Sequence, residues 1–275
     1  MVLDVEGGTL AYEVVGSGPL VVLAHGMGDS RRAYRFMTPA LVGAGYRVAV
    51  VDLRGCGESS VEWAGYSRTD VAGDLIALIE HLGGGPAILV GHSLAGGAAT
   101  IAAASEPSLV AAVIELAPFT RGQQIRLGDL RVGRFRRGTV HLLVALTLGS
   151  ASQWRRYLDV AYPGPKPADW DTRCAEIDAM LREPGRMKVL QKMGQSKPTD
   201  AGAQLPHVSC PVLVVEGSKD PDWADPQAEG EAIVAELPSG LGHLEILTGA
   251  GHYPHVQFPQ QVVDSVRSFL ARTSA

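Results

Sequence analysis

The sequence predicts a doubly wound α/β domain built on a mainly parallel sheet. Short, continuously apolar runs of strand length alternate along the chain with helix-length patterns. Parallel strands buried on both faces, joined by crossover helices, require that alternation. The chain has 275 residues, 46% of them hydrophobic, enough for one large domain rather than two small ones. No internal repeat or low-complexity tract interrupts the order.

Taken in order, residues 1–6 and 9–15 read as strands joined by Gly7-Gly8, a hairpin signal. Strand 20–24 follows, then helix 31–43, strand 46–51, helix 68–82, strand 87–91, helix 94–105 and strand 110–116. After a break come strand 211–216, helix 226–237, strand 243–248 and helix 259–271. Asp225, just before Pro226, reads as the N-cap of its helix. The break opens at Pro118 and closes with Leu205-Pro206, and it holds helical patterns at about 135–148, 152–161, 168–182 and 185–194. The expected organisation is a core of 1–118 and 208–275 with a helical insertion, 119–207, at the strand ends. Such an insertion can act as a cap that excludes water and shapes a pocket.

The chemistry is written most densely at residues 85–97, Gly-Pro-Ala-Ile-Leu-Val-Gly-His-Ser-Leu-Ala-Gly-Gly. An apolar run stops at Gly91, Ser93 follows, and small residues open a helix. This is the pattern of a nucleophile elbow, in which a sharp strand-to-helix turn exposes a serine Oγ. The commoner spacing is Gly-x-Ser-x-Gly; Ala95 takes the last position here. Alanine is the next smallest residue, so the turn is expected to survive.

A serine nucleophile needs a base, and the base an orienting carboxylate. Downstream, Pro211–Glu216 is a β-branched run leading into Gly217-Ser218-Lys219-Asp220, which sets a carboxylate just past a strand end. Leu244–Leu247 leads into Thr248-Gly249-Ala250-Gly251-His252, a histidine on a glycine-rich turn. Serine, acid and histidine in that order suit an elbow site, so Ser93, Asp220 and His252 are the expected triad. Asp222 remains an alternative acid and His255 an alternative base. The run from Asp220 to Asp225 lacks the glycine and distal glutamate of an EF-hand loop, so no metal is expected there.

Acyl transfer also needs donors for the developing oxyanion. The amide of Leu94, next after the nucleophile, is one. Strand 20–24 ends in His25-Gly26-Met27-Gly28, where Gly26 permits close backbone approach and makes the Met27 amide the second. His25 and Gly26, with Phe119 and Trp154 from the insertion, are the expected substrate-facing residues.

These segments together resemble the α/β-hydrolase superfamily, in its serine-nucleophile, esterase-like branch with a helical cap. The matching pieces are His25-Gly26-Met27-Gly28, Asp52-Leu53-Arg54-Gly55-Cys56-Gly57-Glu58-Ser59, the elbow around Ser93, Gly217 to Asp220, and Gly251-His252. They span nearly the whole chain and are specific for the superfamily, not for a substrate. The resemblance implies a mostly parallel, eight-stranded sheet, a structural role for Asp52–Ser59, and no cofactor. Haloalkane dehalogenases and epoxide hydrolases of this fold attack with a carboxylate. A serine would form an ether that does not turn over, which removes those activities. Hydrolysis of an ester or lactone is the first expectation, because an alkoxide leaves with less assistance than an amine or carbanion. Carbon–carbon or amide hydrolysis, peracid formation, cofactor-free lyase or oxygenase chemistry, and a non-catalytic ligand receptor use the same fold.

A net charge of −5 gives no reason to expect a nucleic-acid partner. The longest apolar run, Val140 to Leu148, falls far short of the ~20 residues that cross a bilayer, so no membrane association is expected. Met1–Val5 reads as a strand rather than a signal peptide, and Cys56, Cys174 and Cys210 lack metal-like spacing; both suit a reducing cytoplasm. The partner expected is a small molecule, with oligomeric state open. Arg121, Arg126, Arg131, Arg134, Arg136 and Arg137 crowd one stretch of the insertion and are read as a solvated surface. His92 is read as structural packing, and His81, His141, His207 and His243 as surface or satisfied core residues.

Overall fold

The computed structural model describes residues 1–83 and 85–273. Its strands are β1 (Val2–Val5), β2 (Gly8–Val15), β3 (Leu20–Ala24), β4 (Arg47–Val51), β5 (Ala87–His92), β6 (Val110–Leu116), β7 (Val212–Gly217) and β8 (Gly242–Leu247). They form one eight-stranded sheet in the order β1-β2-β4-β3-β5-β6-β7-β8. β1 pairs antiparallel with β2, and β2 with β4. Every pairing from β4 to β8 is parallel.

The strand pattern explains why helices cover both faces. Successive side chains alternate between faces. Leu20, Val22 and Ala24 of β3 therefore join one apolar core, beneath α2 (Arg68–His81) and α3 (Leu94–Ser105). Val21 and Leu23 join the opposite core, with Leu41 of α1 (Met37–Gly43) and Phe269 of α11 (Pro259–Thr273). A strand buried on both sides reads as a continuous apolar run, and β3, β4 and β5 read that way.

Between β6 and β7 lie α4 (Gly133–Leu148), α5 (Ala151–Ala161), α6 (Trp170–Arg182), α7 (Arg186–Gln195) and the single turn α8 (Thr199–Gly202). They share an apolar cluster of their own around Trp154, Tyr157, Ile177 and Leu190. Tyr253 and Val256, from the segment after β8, complete that cluster and fasten it to the sheet domain. After β7 come α9 (Pro226–Glu236) and, past β8, the single turn α10 (Pro254–Gln257). The Asp225 side chain caps α9 by accepting from the Ala228 amide at 3.1 Å, as the sequence predicts.

One element departs from expectation. Instead of a helix over 31–43 there is a 3₁₀ turn, Arg31–Tyr34, and a separate helix starting at Met37. Pro39 has no amide hydrogen, and its ring would clash with the carbonyl of Arg35, four residues earlier, so one helix cannot run through both.

The topology fixes where a ligand site can form. β3 and β5 are neighbours, and the connection after β3 runs to β4 on one side while that after β5 runs to β6 on the other, which opens a crevice at the carboxyl ends of the strands. The loop after β3 and the elbow after β5 face each other across that crevice, because Ala24 and Gly91 are register partners.

Candidate active site

Ser93 stands between β5 and α3 at φ 55° and ψ −117°, in a region that L-residues rarely adopt. The elbow closes tightly enough that a Cβ on Gly91 would lie 2.2 Å from the Ala95 carbonyl oxygen. Glycine is therefore obligatory at 91, whereas Ala95 is accommodated fully buried. Gly26 is also closely packed, for its missing Cβ would sit 2.8 Å from His92 Nδ1 and 3.0 Å from Cβ of Ser93. The loop after β3 thus reaches Ser93 through a glycine. Among the described residues, neither the Met27 nor the Leu94 amide donates to a protein acceptor.

His25 holds this loop rather than facing a ligand. It is fully buried, and its Nε2 accepts from the Leu53 amide at 3.0 Å. The ring proton is therefore on Nδ1, which donates to the Gly26 carbonyl at 2.7 Å. Burial lowers its pKa despite the charges of Asp52 and Asp29. The Asp52–Ser59 turn is also internally tied: Asp52 accepts from the Arg31 and Glu58 amides, and Ser59 Oγ donates to the Asp52 carbonyl at 2.7 Å.

The acid and histidine segments meet at the ends of β7 and β8. His252 Nδ1 donates to Asp220 Oδ2 at 2.8 Å, which leaves Nε2 as the acceptor nitrogen. Asp220 is fully buried, and its Oδ1 accepts from the Asp222 amide at 2.8 Å. The His252 backbone is held from both sides: its amide donates to the Ala161 carbonyl at 2.9 Å, and its carbonyl accepts from His92 Nε2 at 2.7 Å. His92 therefore ties the elbow to the histidine loop. No direct hydrogen bond joins Ser93 Oγ to His252 among the described residues, a looseness common before substrate binds.

Asp222, the alternative acid, is near but differently engaged. Its Oδ2 lies 3.3 Å from His252 Nδ1 and accepts from the Tyr157 hydroxyl at 2.7 Å; its Oδ1 is buried without a partner. Burial raises its pKa to about 6, against the opposing charge of His252. Asp220, Asp222 and His252 bring ligand atoms within 4.8 Å of one another. A cation there would have to displace the Nδ1 proton that His252 donates to Asp220. His255, the alternative base, is elsewhere: buried and stacked on Tyr34 at 4.9 Å, with burial pushing its pKa down to about 3.

A cavity of about 350 Å³ opens over the elbow. Met27, Ser93, Leu94, Phe119 and Asp222 line it from the sheet side, and Leu142 and Leu146 of α4 from above. Of the residues expected to face substrate, Phe119 is brought to this wall, and its ring centroid lies 6.2 Å from that of His252. Gly26, His25 and Trp154 are not on it. Trp154 is 2% exposed and packs against the loop after β3, where its ring would contact a Cβ on Gly28 at 2.6 Å. The arginine stretch also divides. Arg134 donates to the carbonyls of Asp220, Trp223 and Ala224, bracing the acid loop, and Arg121 pairs with Glu229 and Glu236. Neither is a merely solvated charge. The Tyr157–Asp222 bond and the Arg134 brace have no local sequence signal, since they join residues 65 and 86 positions apart.

Residues 21–265 match the model of the alpha/beta hydrolase family. The chain belongs to that family. Among its relatives, this α/β-hydrolase is 29% identical over 274 residues to 2-(acetamidomethylene)succinate hydrolase of Mesorhizobium japonicum, covering 98% of this chain and 94% of the other. It is 26% identical over 258 residues to karrikin insensitive 2 receptor CA of Petunia hybrida, covering 91% and 92%. A thermophilic esterase from Thermogutta terrifontis shares the fold over the whole of both chains, with a TM-score of 0.76 at 24% identity. Among the described residues no helix is long and apolar enough to cross a membrane.

Proposed function

We propose that this α/β-hydrolase is a serine hydrolase that cleaves an ester or lactone of a small, largely apolar molecule through an acyl-enzyme. The observation that carries the reading is Ser93, on a strained elbow in a cavity wall shared with Met27, Leu94 and Asp222, the last lying 3.3 Å from the His252 ring that Asp220 holds. In the proposed sequence, His252 Nε2 takes the hydroxyl proton as Ser93 Oγ attacks the carbonyl. The amides of Met27 and Leu94 hold the oxyanion. The tetrahedral species collapses as His252 protonates the departing alkoxide, leaving Ser93 acylated. His252 then deprotonates a water that attacks the acyl carbon, and as this second tetrahedral species expels Ser93 Oγ, His252 gives the proton to Oγ and the acid product is released. Asp220 fixes the imidazole with Nδ1 protonated and offsets its transient charge.

Two further readings have support of their own. The name of the Mesorhizobium relative keeps amide hydrolysis with the same groups as the second chemistry. Similarity to the Petunia receptor favours a ligand receptor. A fluorophosphonate probe separates hydrolase from receptor. Stoichiometric labelling of Ser93, with turnover of aryl esters, is the expected result; an unlabelled serine and no turnover would overturn the hydrolase reading.

Residues 119–207 act, in this proposal, as a cap on a core of 1–118 and 208–275, since α4 roofs the cavity opposite Ser93. Phe119→Ala is expected to shift acyl-chain preference by roughly 0.8 kcal/mol for each methylene the new space accommodates, read as kcat/KM across a chain-length series. Trp154→Ala is expected instead to cost ~3–5 kcal/mol of stability in a denaturant titration, because the ring fills the cluster between α5, α7 and the loop after β3.

The site also sets a pH dependence. Burial lowers the His252 pKa, but the charges of Asp220 and Asp222 outweigh it and hold the group up at about 9. The base form is thus lost as pH falls through about 9, so kcat/KM for a neutral ester is expected to rise into the alkaline range. Asp222→Asn removes one of the raising charges and should move that limb to lower pH. Stability follows the opposite sign. Because the folded pKa exceeds the ordinary 6.5, the ion pair's contribution is full below that pH and fades as pH rises through about 9.

A further inference from the structure

The buried arginines of this protein are not alike. Arg54 pairs with Asp74, Arg173 with Asp29, and Arg186 with Glu183. Arg68 is at least as buried, at 4% exposure, and no carboxylate lies within ion-pair distance of it among the described residues. Asp200, whose charge reaches Arg68 without an ion pair, accepts instead from the Thr69 hydroxyl and the Ala201 amide. An unpaired buried charge is costly, so its presence calls for a partner that arrives from outside.

The surroundings say where that partner would sit. Ser67 and Asp70 form a reciprocal capping box that fixes Arg68 as the first residue of α2. Its Nε donates to the Phe119 carbonyl at 2.8 Å, and Nη1 to the Ser196 carbonyl and hydroxyl at 3.2 and 3.1 Å. The guanidinium plane is therefore set by neutral acceptors. Nη2 finds no protein acceptor among the described residues, yet it is not one of the sealed, unpartnered buried atoms; the residue's open side is the cavity it lines. The Phe119 amide donates to the Ser93 carbonyl at 3.1 Å, so a single residue separates Arg68 from the nucleophile. Burial pulls the Arg68 pKa down to about 10, which still leaves it charged at neutral pH.

We infer that Arg68 is an anion-recognition point of the Ser93 cavity, and that the preferred substrates carry a carboxylate a few atoms from the scissile carbonyl. This deepens the hydrolase reading and rests on it. A monoanion is favoured over a phosphate dianion because one guanidinium balances one charge; Lys197, the other cation on the wall, is exposed at the rim. Asp222, the acid on the same wall, is committed to Tyr157 and His252 and leaves Arg68 unneutralised.

The test has a binding arm and a kinetic arm. In the wild-type protein, glutaramate, a monoanion, is expected to raise the thermal midpoint where its neutral isostere glutaramide does not. Arg68→Gln should weaken glutaramate binding by about tenfold or more, with Arg68→Lys retaining part of it. In the kinetic arm, 4-nitrophenyl hydrogen glutarate is set against 4-nitrophenyl pentanoate. The charged-to-neutral ratio of kcat/KM should fall by about tenfold or more in Arg68→Gln. Glutaramate acting no better than glutaramide on the wild type, or a ratio unmoved by the substitution, overturns the inference. If Arg68→Gln does not fold, the wild-type comparison of the two ligands decides alone. Glutaramate binding without turnover of either ester would sink the hydrolase reading and leave Arg68 standing. Turnover without charge preference would do the reverse.

Discussion

Ser93→Ala is expected to abolish ester hydrolysis, with turnover falling by up to about 10⁶-fold if serine, histidine and acid act as one unit. The size of the effect follows from the mechanism proposed. Without Oγ there is no acyl-enzyme, and what survives is the contribution of the oxyanion donors and of binding. The substitution is also structurally mild. Alanine keeps the Cβ against which Gly26 is packed, and Ser93 Oγ makes no hydrogen bond among the described residues whose loss would matter. The strained φ of 55° is common to both residues, so the melting temperature should hardly move. A folded Ser93→Ala protein with wild-type turnover, free of contaminating esterase, would falsify the acyl-enzyme.

The second large effect separates the two carboxylates beside His252. Asp220→Asn is expected to lower kcat by roughly 10⁴-fold, because an amide in place of Oδ2 favours the wrong imidazole tautomer and cannot offset its charge. Asp222→Asn should cost far less. Its carboxylate is 3.3 Å rather than 2.8 Å from Nδ1, shares that oxygen with Tyr157, and leaves its other oxygen unpartnered. Steady-state kinetics of both variants on one neutral ester decides the matter. If Asp222→Asn proves the more damaging, the orienting role passes to Asp222 and the pH argument must be rebuilt around it.

What was legible in the chain was what local chemistry dictates. Gly91, Ala95 and Gly96 mark the elbow because only small residues fit where a strand turns into a helix at a positive φ. Continuous apolar runs mark β3 to β5 because both faces are covered. The Asp225 cap and the helix starts at Arg68 and Leu94 were readable for the same reason, each resting on residues within a turn of one another. The helix expected over 31–43 is broken because the steric demand of Pro39 outweighs the apolar periodicity.

The rest depended on contacts between residues distant in sequence. Trp154 could be assigned to a pocket or to a core equally well from its type; the approach of α5 to Gly28 decides that it fills a core. Arg134 sat in a row of arginines, and only the packing of α4 over the acid loop gives it carbonyls to brace. The closeness of Asp222 to His252, and the absence of an acid within ion-pair distance of Arg68 among the described residues, exist only once β7, β8 and α2 are assembled. The sequence by itself determined the fold, the elbow and the order of candidate groups, since these follow from backbone sterics and burial over a few residues. Tertiary structure alone decided which carboxylate bonds the histidine, which aromatic ring meets the cavity and which buried cation has no acidic partner among the described residues, since side-chain reach across the fold is not encoded in any single segment.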